Sequence, residues 1–212
     1  MQGKRKPQFS PTILIFSDEN SIAMKSRIVK ELLFFFLLSI VVSLPVYGED
    51  GPKEQVQGWL SEIRVGILAH DVPIWSLSRK ESGVDFNAEF IFRWPNYSVL
   101  SGIVHSNLGV TLNNQGDTSK IYSGFLWEYI WQSGIFLDLG LGLAAHDGEL
   151  ETSDDDKKEL GSRILFRIPV EIGLLFAKHH GVSIMFAHVS NAYLADPNEG
   201  LDTIGLRYAY RF

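Results

Sequence analysis

Every second residue from Arg163 to Phe176 is either bulky and apolar or something else entirely. Ile164, Phe166, Ile168, Val170, Ile172, Leu174 and Phe176 form one set, and Arg163, Leu165, Arg167, Pro169, Glu171, Gly173 and Leu175 the other. Successive side chains of an extended chain point to opposite sides, so this period of two predicts a strand with unlike faces. It is longer than most strands of soluble proteins. The pattern recurs over 135–144, where Ile135, Leu137, Leu139, Leu141 and Leu143 alternate with Phe136, Asp138, Gly140, Gly142 and Ala144, and over 84–94. Read along the whole chain, it predicts eight strands, at about 61–70, 83–94, 100–112, 119–131, 134–146, 161–177, 180–190 and 201–212. Longer connections (71–82, 113–118, 147–160, 191–200) alternate with short ones (95–99, 132–133, 178–179).

Volume indicates which face is outside. An eight-stranded barrel has room inside only for small residues and for charges that pair with one another. Gly, Ala and Ser therefore belong inside with Arg64, Glu89, Glu128, Asp138, Arg167, Glu171 and Arg207, and the bulky apolar set meets lipid. The expected fold is all-β: an eight-stranded antiparallel up-and-down transmembrane β-barrel, with long loops on one rim and tight periplasmic turns on the other. Trp59, Trp75, Trp94, Trp127, Tyr129, Trp131, Tyr208 and Tyr210 lie mostly near strand ends, as interfacial girdles require. The terminal Phe212 resembles the C-terminal signal of bacterial outer-membrane barrels.

Composition alone points elsewhere, since 212 residues at 45% hydrophobic and 21% charged describe an ordinary soluble chain. The N-terminal segment changes that. Met24, Lys25, Arg27 and Lys30 precede an apolar run from Leu32 to Leu44, and Val46-Tyr47-Gly48 offers a cleavage site. Residues 1–48 are thus expected to be an N-terminal extension and cleaved secretory signal peptide, with Met24 the more natural start than Met1. The barrel domain is expected over 49–212. Of 19 Lys and Arg, six precede Glu49, and of 25 Asp and Glu, three do, so the exported chain carries 13 against 22 and a net charge of −9. That balance excludes a basic nucleic-acid footprint. The absence of cysteine excludes thiol catalysis, thiolate metal sites and disulfides.

The densest chemistry is His188-Val189-Ser190-Asn191, followed by Asn198 and Asp202. His188 and Ser190 are two apart on one strand and share its outward face, while Asp202 shares the outward face of the next strand with Ile204 and Leu206. Polar groups facing lipid are costly, so the cluster needs a reason. A hydroxyl nucleophile, an imidazole base and an orienting carboxylate are the parts of an acyl-transfer triad, defined by geometry rather than chain order. The other histidines are weaker candidates. His105 and Ser106 face opposite ways, His179-His180 lies at a periplasmic turn, and His70-Asp71 and His146-Asp147 read as solvated loop ends. The acidic 154–159 segment reads as a solvated outer loop without cation-site spacing. No metal or cofactor signature is present.

Over most of the exported chain the sequence resembles the lipid A 3-O-deacylases, also known as acyloxyacyl hydrolases. The resemblance is carried by Ile67-Leu68-Ala69-His70-Asp71, Gly116-Asp117-Thr118-Ser119, Tyr122-Ser123-Gly124, His146-Asp147-Gly148 and Leu160-Gly161-Ser162-Arg163. Most specific is His188-Val189-Ser190-Asn191-Ala192 with Pro197-Asn198 and Gly200-Leu201-Asp202. It implies an outer-membrane esterase that needs no cofactor and removes the 3-O-linked hydroxyacyl chain from lipid A in the outer leaflet, with His188, Ser190 and Asp202 as triad. Better-known members carry Glu at the acid position, which leaves Glu199 as an alternative. Asn191 and Asn198, with the amides of Ala192 and Tyr193, are implied as oxyanion-hole supports, although Asn198 beside Pro197 also suits a plain turn. A non-catalytic surface barrel, or a phospholipase or acyltransferase working on another membrane lipid, are the rival readings.

Overall fold

Eight antiparallel strands run in chain order: β1 (Leu60–Ala69), β2 (Val84–Val99), β3 (Gly102–Asn113), β4 (Lys120–Ile130), β5 (Ile135–His146), β6 (Ile164–Phe176), β7 (His180–Ser190) and β8 (Leu201–Arg211). Each pairs with the next, and β8 returns to β1 with Glu62 opposite Arg211 and Ala69 opposite Ile204, closing the barrel. Closure leaves no strand edge with unpaired backbone groups, the condition for crossing hydrocarbon with strands. The structure, a computed structural model, describes residues 59–212. The expected extension and signal peptide over 1–48 lie outside the described residues.

The two strand faces separate as the volume argument requires. Phe86, Phe90, Phe125, Ile172, Ile184 and Leu206 are exposed on the outer face. All seven charges assigned to the interior are buried, joined there by Glu62. Arg64 donates to Glu62 (2.7 Å), Asp138 (2.5 Å) and Glu171 (2.8 Å), Arg207 donates to Glu171 (2.9 Å) and Glu89, and Arg211 reaches Glu128 from the periplasmic end. The Arg167 guanidinium lies 3.8 Å from the ring centroid of buried Tyr122. The lumen is lined by paired charge.

Most expected boundaries move by a residue or two, and the end of β2 and the start of β6 move further. Residues 95–99 were expected as a short connection between β2 and β3. They instead extend β2 beyond a register shift between Arg93 and Ser98, and the chain reverses at Leu100-Ser101, both at positive φ. β6 starts at Ile164 rather than 161, because Gly161 (φ 66°) belongs to the loop. A Cβ there would lie against the Pro197 carbonyl oxygen, so glycine permits the close approach of the 147–163 and 191–200 loops.

Candidate active site

β7 and β8 pair with His188 opposite Asp202, and β6 and β7 with Phe166 opposite Ser190. The site therefore begins as two neighbouring strand positions at the long-loop rim. His188 Nδ1 lies 2.6 Å from Asp202 Oδ1, and His188 Nε2 lies 3.1 Å from Ser190 Oγ. The three residues expected to act together are thus in hydrogen-bonded sequence.

The surroundings settle the direction of those bonds. Asp202 Oδ2 accepts the backbone N–H groups of Trp75 (2.5 Å) and Ser76 (2.7 Å), leaving Oδ1 as acceptor for the ring. A carboxylate with three donors aimed at it holds the proton of His188 on Nδ1 and leaves the Nε2 lone pair toward Ser190. Chemically, the arrangement can accept the serine proton and stabilise the resulting imidazolium.

In one respect the environment differs from expectation. By strand parity the three residues are on the outer face, yet Asp202 is 0% exposed and His188 only 7%. Residues 72–76 of the β1–β2 loop lie over them as a strap: Val72 N–H donates to Asp202 O (3.0 Å), and the Trp75 indole stacks on the imidazole at 4.6 Å between centroids and 18° between planes. Polar groups on the lipid side are hydrogen-bonded and covered, which removes most of the cost of placing them there. Trp75 was expected only as a girdle aromatic. Its local sequence carries no signal of this contact, since Asp202 is 127 positions away.

The asparagines divide. Both Nδ2 hydrogens of buried Asn191 are taken, by Leu160 O (3.0 Å) and Pro197 O (2.8 Å), so this amide clamps two loops together and does not aim a donor at Ser190. Asn198 Oδ1 accepts the Asn191 backbone N–H at 2.9 Å, leaving its NH₂ as the available donor group. Beyond them the chain turns tightly: Ala192 (φ 54°) and Tyr193 (φ 59°) are both left-handed, and Leu194 N–H closes the turn on Asn191 O at 3.1 Å. Such a turn leaves the amides of its two central residues without internal partners, and among the described residues those of Ala192 and Tyr193 hydrogen-bond to nothing. Glu199, the alternative acid, is engaged elsewhere, with Lys80 Nζ (2.9 Å) and Glu159 N–H (2.8 Å).

Of the two pairs read as solvated loop ends, His70 and Asp71 are both buried, whereas in the second His146 is buried and Asp147 stays exposed. His70 bridges Asp85 and Glu81, each at 2.8 Å, and Glu81 also accepts from Thr118 Oγ1 (2.9 Å) and Lys158 N–H (3.1 Å). Asp71 accepts the N–H groups of Lys80 and Glu81 and faces Lys158 Nζ at 3.3 Å; both residues are fully buried, so Lys158 is a correction to the solvated reading of 154–159. His146 is buried, with Nε2 at 2.7 Å from Ser162 O. His105 faces Glu128 inside the barrel at 3.6 Å. Burial lowers the affinity of His70 for its proton, but the bonds to Asp85 and Glu81 outweigh it and raise the pKa above the ordinary imidazole value. Burial likewise opposes ionisation of Glu81, and the donors His70, Lys158 and Thr118 overcome it, holding the carboxyl at about 2. This cluster roots the strap.

Fold and site together define a class: an eight-stranded membrane barrel that carries a hydrogen-bonded hydroxyl, imidazole and carboxylate on its outer face. The chain belongs to the lipid A 3-O-deacylase (PagL) family, whose sequence profile matches residues 81–211. It is 29% identical over 97 residues to lipid A deacylase PagL of Bordetella bronchiseptica (42% of this chain, 52% of that protein). With lipid A deacylase PagL of Pseudomonas aeruginosa it shares 35% over 85 residues (40% of this chain, 47% of that protein). The matches thus span about half the length of these curated relatives. The crystal structure of the outer membrane enzyme PagL superposes with a TM-score of 0.55 at 23% identity, over 72% of this chain and the whole of the solved one, a likeness of fold.

Proposed function

We propose that this protein is an outer-membrane esterase that hydrolyses the 3-O-linked hydroxyacyl chain of lipid A, with Ser190 as nucleophile, His188 as general base and Asp202 as the acid that orients it. The reading is carried by one observation: the unbroken run of hydrogen bonds from Asp202 through His188 to Ser190 at the rim of a lipid-facing wall. Family membership supports the substrate class. Ser190 Oγ adds to the ester carbonyl as its proton passes to His188 Nε2. The negative charge on the former carbonyl oxygen is met by donors drawn from the Ala192 and Tyr193 amides and the Asn198 NH₂; one such donor is worth about 3–4 kcal/mol in comparable sites. Collapse expels the 3-oxygen of the lipid, which takes the proton from His188, and water then releases the acyl group from Ser190 by the same steps in reverse. None of these steps calls for a cofactor. Position supports the lipid substrate: an outer-face nucleophile meets a molecule that never leaves the bilayer. The test is Ser190→Ala, checked for barrel folding by heat-modifiable electrophoretic mobility, with lipid A analysed by mass spectrometry. Loss of 3-O-deacylation is expected, and undiminished deacylation in the folded variant refutes the assignment.

A further inference from the structure

We infer that Trp75, with the strap 72–76 that carries it, is a positioning residue for the acyl-transfer step, acting through His188 and Asp202. The inference rests on the proposed reading of the site and extends it to a loop that contributes no group to the reaction itself. Three contacts carry it. The amides of Trp75 and Ser76 hold Asp202 Oδ2 at 2.5 and 2.7 Å, so the carboxylate cannot rotate away from the imidazole. The indole stacks on the His188 ring with centroids 4.6 Å apart and 18° between the planes. Val72 N–H on Asp202 O, at 3.0 Å, docks the strap against the start of β8.

The chemistry follows from the charge that develops. When Ser190 gives its proton to His188, a cation forms between the Asp202 carboxylate and the indole face, and an aromatic face stabilises a cation seated over it. The ring cannot tilt out of line with Ser190 without losing the stack. Asp202 is the charged side chain hydrogen-bonded to this ring, and its neighbours across the pairs, Ile168 and Asp202 itself, add no other charge. Trp75 is 54% exposed, so its second face is turned outward, as suits an indole at the membrane interface. The strap keeps its shape without help from the substrate, since Asp71 binds the Lys80 and Glu81 amides and buried Lys158 ties it to the β5–β6 loop.

The test uses the full chain folded in lipid A-containing liposomes, with kcat and KM measured for wild type, Trp75→Ala, Trp75→Phe, Leu77→Ala and Ser190→Ala. Trp75→Ala is expected to lower kcat by about tenfold, the size of one cation–π contact, with KM nearly unchanged. Trp75→Phe, which keeps an aromatic face, should recover most of that loss, and Leu77→Ala, two residues further along the exposed loop, should behave as wild type. Heat-modifiable mobility confirms that each variant is folded. Wild-type kcat in folded Trp75→Ala, a rise in KM at constant kcat, or a Trp75→Phe variant no better than Trp75→Ala overturns the inference. Activity that persists in Ser190→Ala instead overturns the reading of the site beneath it, so the two failures are distinguishable.

Discussion

Asp202 serves the site through both of its oxygens, one for the imidazole and one for two backbone amides. An amide side chain cannot copy this, because its NH₂ would face either the Nδ1–H of His188 or the strap donors. Asp202→Asn is therefore expected to lower kcat by about 10⁴-fold with the barrel intact, the size of effect seen when a triad acid is replaced by its amide. Glu199→Gln should leave kcat nearly unchanged, since that carboxylate is tied to Lys80 and Glu159. Steady-state kinetics on both variants decide between the two acids. Asn191 shows the limit of reading a residue by type: its amide was expected at an oxyanion, and its two hydrogens hold Leu160 and Pro197 instead. Nothing in the order of residues tells which carbonyls will come within 3 Å of an amide.

At the scale of the element, the β1–β2 loop behaves as a small structured unit standing on His70, Asp71, Glu81 and Lys158. Its charge state sets a pH window. The lowered pKa of Glu81 stabilises the folded loop above the unfolded value of 4.5, a contribution lost as pH falls toward about 2. The raised pKa of His70 stabilises it below the unfolded value of 6.5, a contribution lost as pH rises through the higher folded value. The loop should be firmest between those limits, measurable as hydrogen-exchange protection of residues 71–82 across pH. His70→Gln is expected to abolish the loss on the alkaline side. The strands themselves were legible because alternation is a local property: β7 falls at its expected bounds, and the others shift by a few residues. The β2 extension was not, because its last residues pair with β3 only after a register shift within β2, which alternation along one strand does not reveal.

For the molecule as a whole, stability depends on filling a narrow lumen with charge that balances. Arg207 reaches Glu89 and Glu171 on other strands, and Arg64 reaches Glu62 on its own strand as well as Asp138 and Glu171 across the lumen. Removing one partner leaves a buried carboxylate without its counter-charge, which costs about 3–5 kcal/mol. Arg207→Met should accordingly unfold at lower denaturant in liposomes than wild type, and the paired variant Arg207→Met/Glu89→Leu should regain part of the loss. An unchanged midpoint for Arg207→Met would show that the network does not bear on stability.

The inside and outside of this barrel follow from residue order alone, because strand geometry turns odd and even positions into two faces and small lumen volume decides which is which. The same logic put His188 and Ser190 on one side, two residues apart, and named an acid on the next strand. What order does not contain is the arrangement across the chain. Closure of β8 on β1 brings the β1–β2 loop beside β7 and β8, and only then can Trp75 cover His188 and two amides grip Asp202. A site expected to lie open to lipid is, in three dimensions, roofed by a segment more than a hundred residues away. Alternation is written residue by residue, whereas that contact depends on register and loop packing summed around the whole barrel.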